Sequence, residues 1–287
     1  MGERAPTPIQ RFTWFVLALD LLASLVAGVV LYAFPERTDE LFAWTIKAPI
    51  TATFLGAGYL GAVVALLFVF AVARQWQEAR ILPVMGVALT VLTALVTFWH
   101  LGQFHLRKGG ASAQFAGWAW VVVYVSVPLL LAVAFLRQEA AGGRLDREVA
   151  EPLLPLTRGV LLVQGVGTTV VGAGLVLGAS AFDNVWPWPV PALPAGAVGA
   201  WLLTTAAGSW WALREADWRR VRLAAPGLLA LVVFAAVGAA RYPDAFDADE
   251  WQTWTYFVAL GIPSLAFAAA AYRQERRRGN TTAGDRV

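Results

Sequence analysis

Residues 12–34 read FTWFVLALDLLASLVAGVVLYAF, 23 positions whose only charge is Asp20. A helix needs about 20 predominantly apolar residues to cross a bilayer core, so this run predicts a transmembrane span. It follows Met1–Arg11, is too long for a secretory signal and lacks a small-residue cleavage site, which makes it a retained first helix. Seven more runs of the same kind follow: Pro49–Val72, Leu82–Leu101, Phe115–Leu136, Val160–Phe182, Leu193–Leu213, Leu223–Ala240 and Trp254–Tyr272. The expected fold is all-α, an integral membrane protein with eight transmembrane helices. The chain is 59% hydrophobic and 14% charged, whereas soluble domains carry about 25% charged residues. That excludes an ordinary soluble protein.

Arginine placement sets the expected orientation, because short loops rich in Lys and Arg stay in the cytoplasm. With the N-terminus inside, 17 basic residues fall on the inner side, among them Arg74, Arg80, Arg137, Arg158, Arg214, Arg219, Arg220, Arg222 and Arg273. Five fall outside: Arg37, Lys47, Arg107, Lys108 and Arg241. The outer segment Asp244–Glu250 is acidic. Both termini are therefore expected in the cytoplasm. The scarcity of lysine beside abundant Ala, Val, Leu and Gly points to a GC-rich bacterial genome, hence to a bacterial inner membrane.

The chain also looks duplicated. Trp44, Pro49, Trp76 and Arg80 recur 142 positions later as Trp186, Pro191, Trp218 and Arg222. Pro128 followed by Arg137-Gln138 recurs as Pro263 followed by Arg273-Gln274. Residues 1–138 thus form one four-helix repeat and 158–275 a second. Between them, 139–157 reads as a polar cytoplasmic linker, and 276–287 as a basic, disordered tail. Each repeat has an even number of spans, so the two share one topology, related by an axis along the membrane normal.

Several residues are candidates for function. Asp20 lies about 12 Å into its span at 1.5 Å per residue, where an ionisable group is expensive and usually functional; the alternative is a hydrogen-bonded packing residue. Thr90, Thr93, Thr97 and His100 share one face of the third span and, with Tyr59, could line a polar cleft running outward from Asp20. Threonines that bond their own helix are the bland alternative. His100 and His105 are the only histidines, and their spacing of five does not suit a metal pair on one helix face. No metal, cofactor or catalytic set is expected. The absence of cysteine removes disulfides, thiolate zinc sites and iron–sulfur clusters. Trp186 and Trp188, alternating with Pro187 and Pro189, could form an outer aromatic platform, though interfacial belts account for most tryptophans. Residues 56–61 fit G-x-G-x-x-G but sit inside an apolar run, so they mark close packing and not a phosphate loop.

Function is narrowed to a small permease or membrane-embedded ligand-binding protein with a polar cleft in the first repeat. The alternatives are a non-catalytic accessory or scaffold subunit and, last, an enzyme acting on a lipid or isoprenoid at the outer leaflet. The expected partners are the lipid bilayer, a small hydrophobic or lipid-like ligand, and a protein partner or second copy; nucleic acid is not among them.

Overall fold

The computed structural model describes residues 7–143, 149–178 and 185–284. Arg4, Arg144, Arg147 and Arg286 of the charge asymmetry, Phe182 of the fifth run, and parts of 139–157 and 276–287 lie outside these residues. Among the described residues the chain is helical, with one isolated β-bridge between Pro152 and Asp217. Eight long helices form: α1 (Arg11–Ala33), α2 (Pro49–Val72), α3 (Ile81–Trp99), α4 (Ala111–Gln138), α5 (Pro155–Leu177), α6 (Ala192–Glu215), α7 (Ala225–Arg241) and α8 (Trp251–Gly284). One helix stands at each apolar run. Proline starts α2 and α5, where its fixed φ suits the first turn and its missing N–H costs nothing.

Seven of these segments are long and apolar enough to cross a membrane; α6 is not among them. Gly, Ala, Thr, Ser and Trp dilute its apolarity. The packing explains why that is tolerated, since α6 lies against α5, α3 and α2 in the middle of the molecule. Of its large apolar side chains only Trp210 is strongly exposed, at 40%. The peripheral helices behave oppositely. Leu22, Phe115, Leu129 and Leu265 all stand exposed, an apolar girdle far larger than water tolerates.

Contacts recur in matching pairs. Helices α1 and α2 pack together, as do α5 and α6; α3–α4 is matched by α7–α8, α1–α4 by α5–α8, and α2–α7 by α3–α6. The Gln138 carboxamide accepts from Gln10 N–H (3.0 Å) and Thr13 Oγ1 (3.1 Å) and donates to the Pro8 carbonyl (2.8 Å). Gln274 does the same with Leu154 N–H (3.0 Å), Thr157 Oγ1 (3.4 Å) and the Pro152 carbonyl (2.9 Å). The Trp76 indole donates to Glu139 (2.6 Å), and that of Trp218 to Glu275 (2.8 Å). Each glutamine thus ties the end of a fourth helix to the start of a first.

Helices α2 and α7 cross without side chains between them. A Cβ on Gly227 would lie 2.6 Å from both Ala65 Cβ and the Gly61 carbonyl oxygen. Small residues permit such approach, and in lipid it replaces hydrophobic driving force with van der Waals contact.

The ends of the bundle differ in kind. At the end bearing most arginines, Arg80 pairs with Glu215, which also accepts from Arg220 Nη1 at 3.1 Å. Arg220 approaches Asp217 at 3.4 Å, and Arg222 approaches Glu78 at 3.9 Å. Arg80, Glu215, Asp217 and Arg220 are all buried. At the opposite end His105 pins the loops of the first four helices, placing Nδ1 3.0 Å from the Phe42 carbonyl and Nε2 3.1 Å from Thr45 Oγ1.

Candidate functional site

Between α1–α4 and α5–α8 lies a cavity of about 120 Å³, walled by α1, α2, α3, α5, α6, α7 and α8. Its surface is mostly apolar because Leu, Ile, Met, Ala and aromatic side chains line it, and Gly58, Gly61, Gly208 and Gly227 leave it room. The polar lining residues are Asp20, Ser24, Gln164, Thr204, Thr205 and Ser209. Three of these have spent their hydroxyl protons on their own helix. Thr204 donates to the Ala200 carbonyl (2.8 Å), Thr205 to Trp201 (3.1 Å) and Ser209 to Thr205 (2.9 Å). Asp20, Ser24 and Gln164 make no such side-chain bond among the described residues, so they offer free polar ends to the cavity. No Lys, Arg or His lines it.

Trp201 forms one wall. Its ring packs so close to Gly58 that a Cβ there would stand 2.9 Å from ring carbons. It meets Tyr59 edge to face at a 4.9 Å centroid distance. The Tyr59 hydroxyl is hydrogen-bonded to that of Tyr124. Tyr124 also lies within reach of Thr93. Beyond them the Trp120 indole donates to Thr97 Oγ1 at 3.0 Å, while Trp44 lies edge-on to Trp120 at 4.9 Å. On the arginine side the cavity ends at Ile81, Trp218 and Val221. Arg80 and Arg220 of the buried ion-pair cluster adjoin them in sequence.

The candidates from sequence divide accordingly. Asp20 lines the cavity, and Tyr59 stands behind its wall with Thr93 and Thr97. Thr90 turns its hydroxyl to the Gly86 carbonyl at 2.7 Å; Gly86 also lines the cavity, with Asp20 Oδ2 3.5 Å from where its Cβ would be. All three threonines are buried. His100 belongs elsewhere: it follows the end of α3, holds Nδ1 3.1 Å from the Val96 carbonyl and stacks on Trp99. Trp188 is buried and donates to Thr51 Oγ1 at 2.7 Å. Trp186 lines a second cavity of about 340 Å³, walled mainly by α5–α8 with Phe54 and Gly58 of α2, which also takes in Gln164, Trp201 and Pro263.

Sequence reasoning missed Gln164, Trp201, Tyr124 and Trp120. The spacing of Asp20 to Gln164, 144 positions, equals that of Thr13 to Thr157 and was the available signal for the first. It also missed that Arg80 and Arg220 are buried, although acids at 215 and 217 close to arginines at 219, 220 and 222 hint at pairing.

Comparison with known protein families, characterised proteins and solved structures finds no match to this chain.

Proposed function

We propose that the chain is a permease-type membrane protein, duplicated from a four-helix unit, that takes a small and mainly apolar ligand into the cavity between its two copies. The observation that carries this reading is the cavity: lined by both quartets, mainly apolar, with three uncommitted polar groups set among its walls. Sites at the interface of repeats, near the bilayer centre, are the common plan of transporters built from internal repeats.

Support for the duplication comes from contacts that recur at a shift of 142–144 residues. Gly28 against Leu60 has its counterpart in Gly172 against Leu203, and Gly56 against Leu31 in Gly199 against Leu175. Across the quartets, Gly238 against Thr53 corresponds to Gly196 against Val96. Under this shift Asp20 corresponds to Gln164 and Gly58 to Trp201, so the cavity straddles the axis and its two sides have diverged. On this reading α6 is the eighth span, sheltered from lipid by its neighbours. The arginine end faces the cytoplasm of a bacterium, with both termini there.

The test uses a neutral probe. Saturating tert-butylbenzene should raise the melting temperature of the purified protein, since a ligand at 100 times its Kd stabilises by about 2.7 kcal/mol. Ala62→Leu, which fills the cavity, should abolish the shift while leaving the unliganded protein folded. No shift from any small aromatic compound, or an equal shift in Ala62→Leu, overturns the reading.

A further inference from the structure

Resting on the reading of the central cavity as a ligand site, we infer that Asp20 is an exchange point at which a proton and a small hydrophobic monocation compete for one carboxylate. Three features carry this. The carboxylate borders the cavity and has no hydrogen-bond or ion-pair partner among the described residues. No basic side chain lines the cavity, so an anionic ligand would meet a carboxylate with nothing to offset either charge. The remaining surface is mainly apolar and includes the Trp201 indole, a favourable neighbour for an organic cation.

The ionisable groups that act on Asp20 are few. They are Tyr59 from α2 and Tyr124 from α4, whose hydroxyls bond each other. Helices α3, α5, α6, α7 and α8 present no ionisable group to the cavity. Arg80 and Arg220 sit outside it and are engaged with Glu215. An ionised carboxylate without a partner is strongly disfavoured among such walls. In the exchange inferred here the unliganded carboxyl is the neutral acid. When a monocation enters, the O–H bond of the carboxyl breaks, its proton leaves to solvent, and the carboxylate keeps the electron pair and faces the cation. One positive charge replaces another, and the cavity stays neutral in both states. Gln164 supplies an amide whose charge does not change. The free volume of about 120 Å³ is of the order of the cavity of about 150 Å³ that holds benzene, so a ring enters with a small outward shift of the walls.

The experiment compares an isosteric pair, phenyltrimethylammonium and tert-butylbenzene, by calorimetric titration of the purified protein in weakly buffered detergent with a pH indicator. Phenyltrimethylammonium cannot itself release a proton. Its binding should liberate one proton per protein and weaken about tenfold for each pH unit toward acid, as single-proton linkage requires. Tert-butylbenzene should bind without proton release or pH dependence. Asp20→Asn should lose the preference for the cation and the proton release, and Asp20→Glu should keep both. Binding of tert-butylbenzene with no binding of the cation, or cation binding without proton release, overturns the exchange proposal and leaves the cavity a ligand site. Binding of neither compound removes the site as well. The wild-type proton count decides the matter even if Asp20→Asn does not fold.

Discussion

At Gly58 the first quartet yields space that Trp201 of the second occupies. Valine at 58 should push that ring off Tyr59, costing about 1–3 kcal/mol as overpacked cores do and lowering tert-butylbenzene affinity, both readable by thermal melting with and without the compound. Ala216 offers a substitution of the opposite sign. It is the one non-glycine with positive φ among the described residues, at 54°, and it closes α6 by donating its N–H to the Ala212 carbonyl. Glycine there should stabilise the protein by roughly 0.5–1 kcal/mol, measured as a rise in melting temperature, because an L side chain pays sterically for the left-handed region. Sequence could place Asp20 at depth and group the threonines on one face, because both follow from the rise and period of a helix. It could not place Tyr124 against Tyr59. A tyrosine in an apolar run reads equally as an interfacial anchor, and which face turns inward is decided by partners far along the chain.

Among the helices, the crossing of α2 and α7 rests on absent side chains. Gly227→Ala would drive a methyl to 2.6 Å from Ala65 Cβ and the Gly61 carbonyl oxygen, and should cost about 1–3 kcal/mol. Gly167→Ala, where a Cβ meets nothing within 4 Å, should be neutral or slightly stabilising in the same unfolding assay, because alanine is the better helix former. Helix existence was legible throughout: an apolar run of this length has no other way to satisfy its backbone in lipid. The repeated landmarks were legible as a pattern but not as a mechanism. Trp76, Gln138, Trp218 and Gln274 turn out to be side-chain ties that lock the end of a fourth helix to the chain entering a first one. The linker region joins in, for Leu153 N–H donates to the Ala216 carbonyl and Trp218 N–H to that of Glu151.

For the molecule as a whole, Arg80 and Glu215 join the two quartets through a buried pair. Removing one member leaves an uncompensated charge, so Glu215→Gln should destabilise by about 3–5 kcal/mol, seen in reversible unfolding, and should loosen the quartets where the cavity ends. Arg80 and Arg220 were counted toward the inside-positive pattern by position alone. That pattern carries no information about burial, which depends on acids that the fold brings up: Glu215 of the other quartet for Arg80, and Glu215 and Asp217 of its own for Arg220. Orientation can be tested cleanly because the chain has no cysteine. A membrane-impermeant maleimide should label Lys108→Cys in intact cells, and Arg158→Cys only after permeabilisation. The sheltered position of α6 bears on how the protein is made. On the eight-span reading proposed above it has the least to gain from leaving the translocon alone, so it should depend on α5 and the first quartet already waiting in the membrane to receive it. Synthesis order then becomes part of the architecture: the earlier quartet serves as the berth for the most polar strut of the later one.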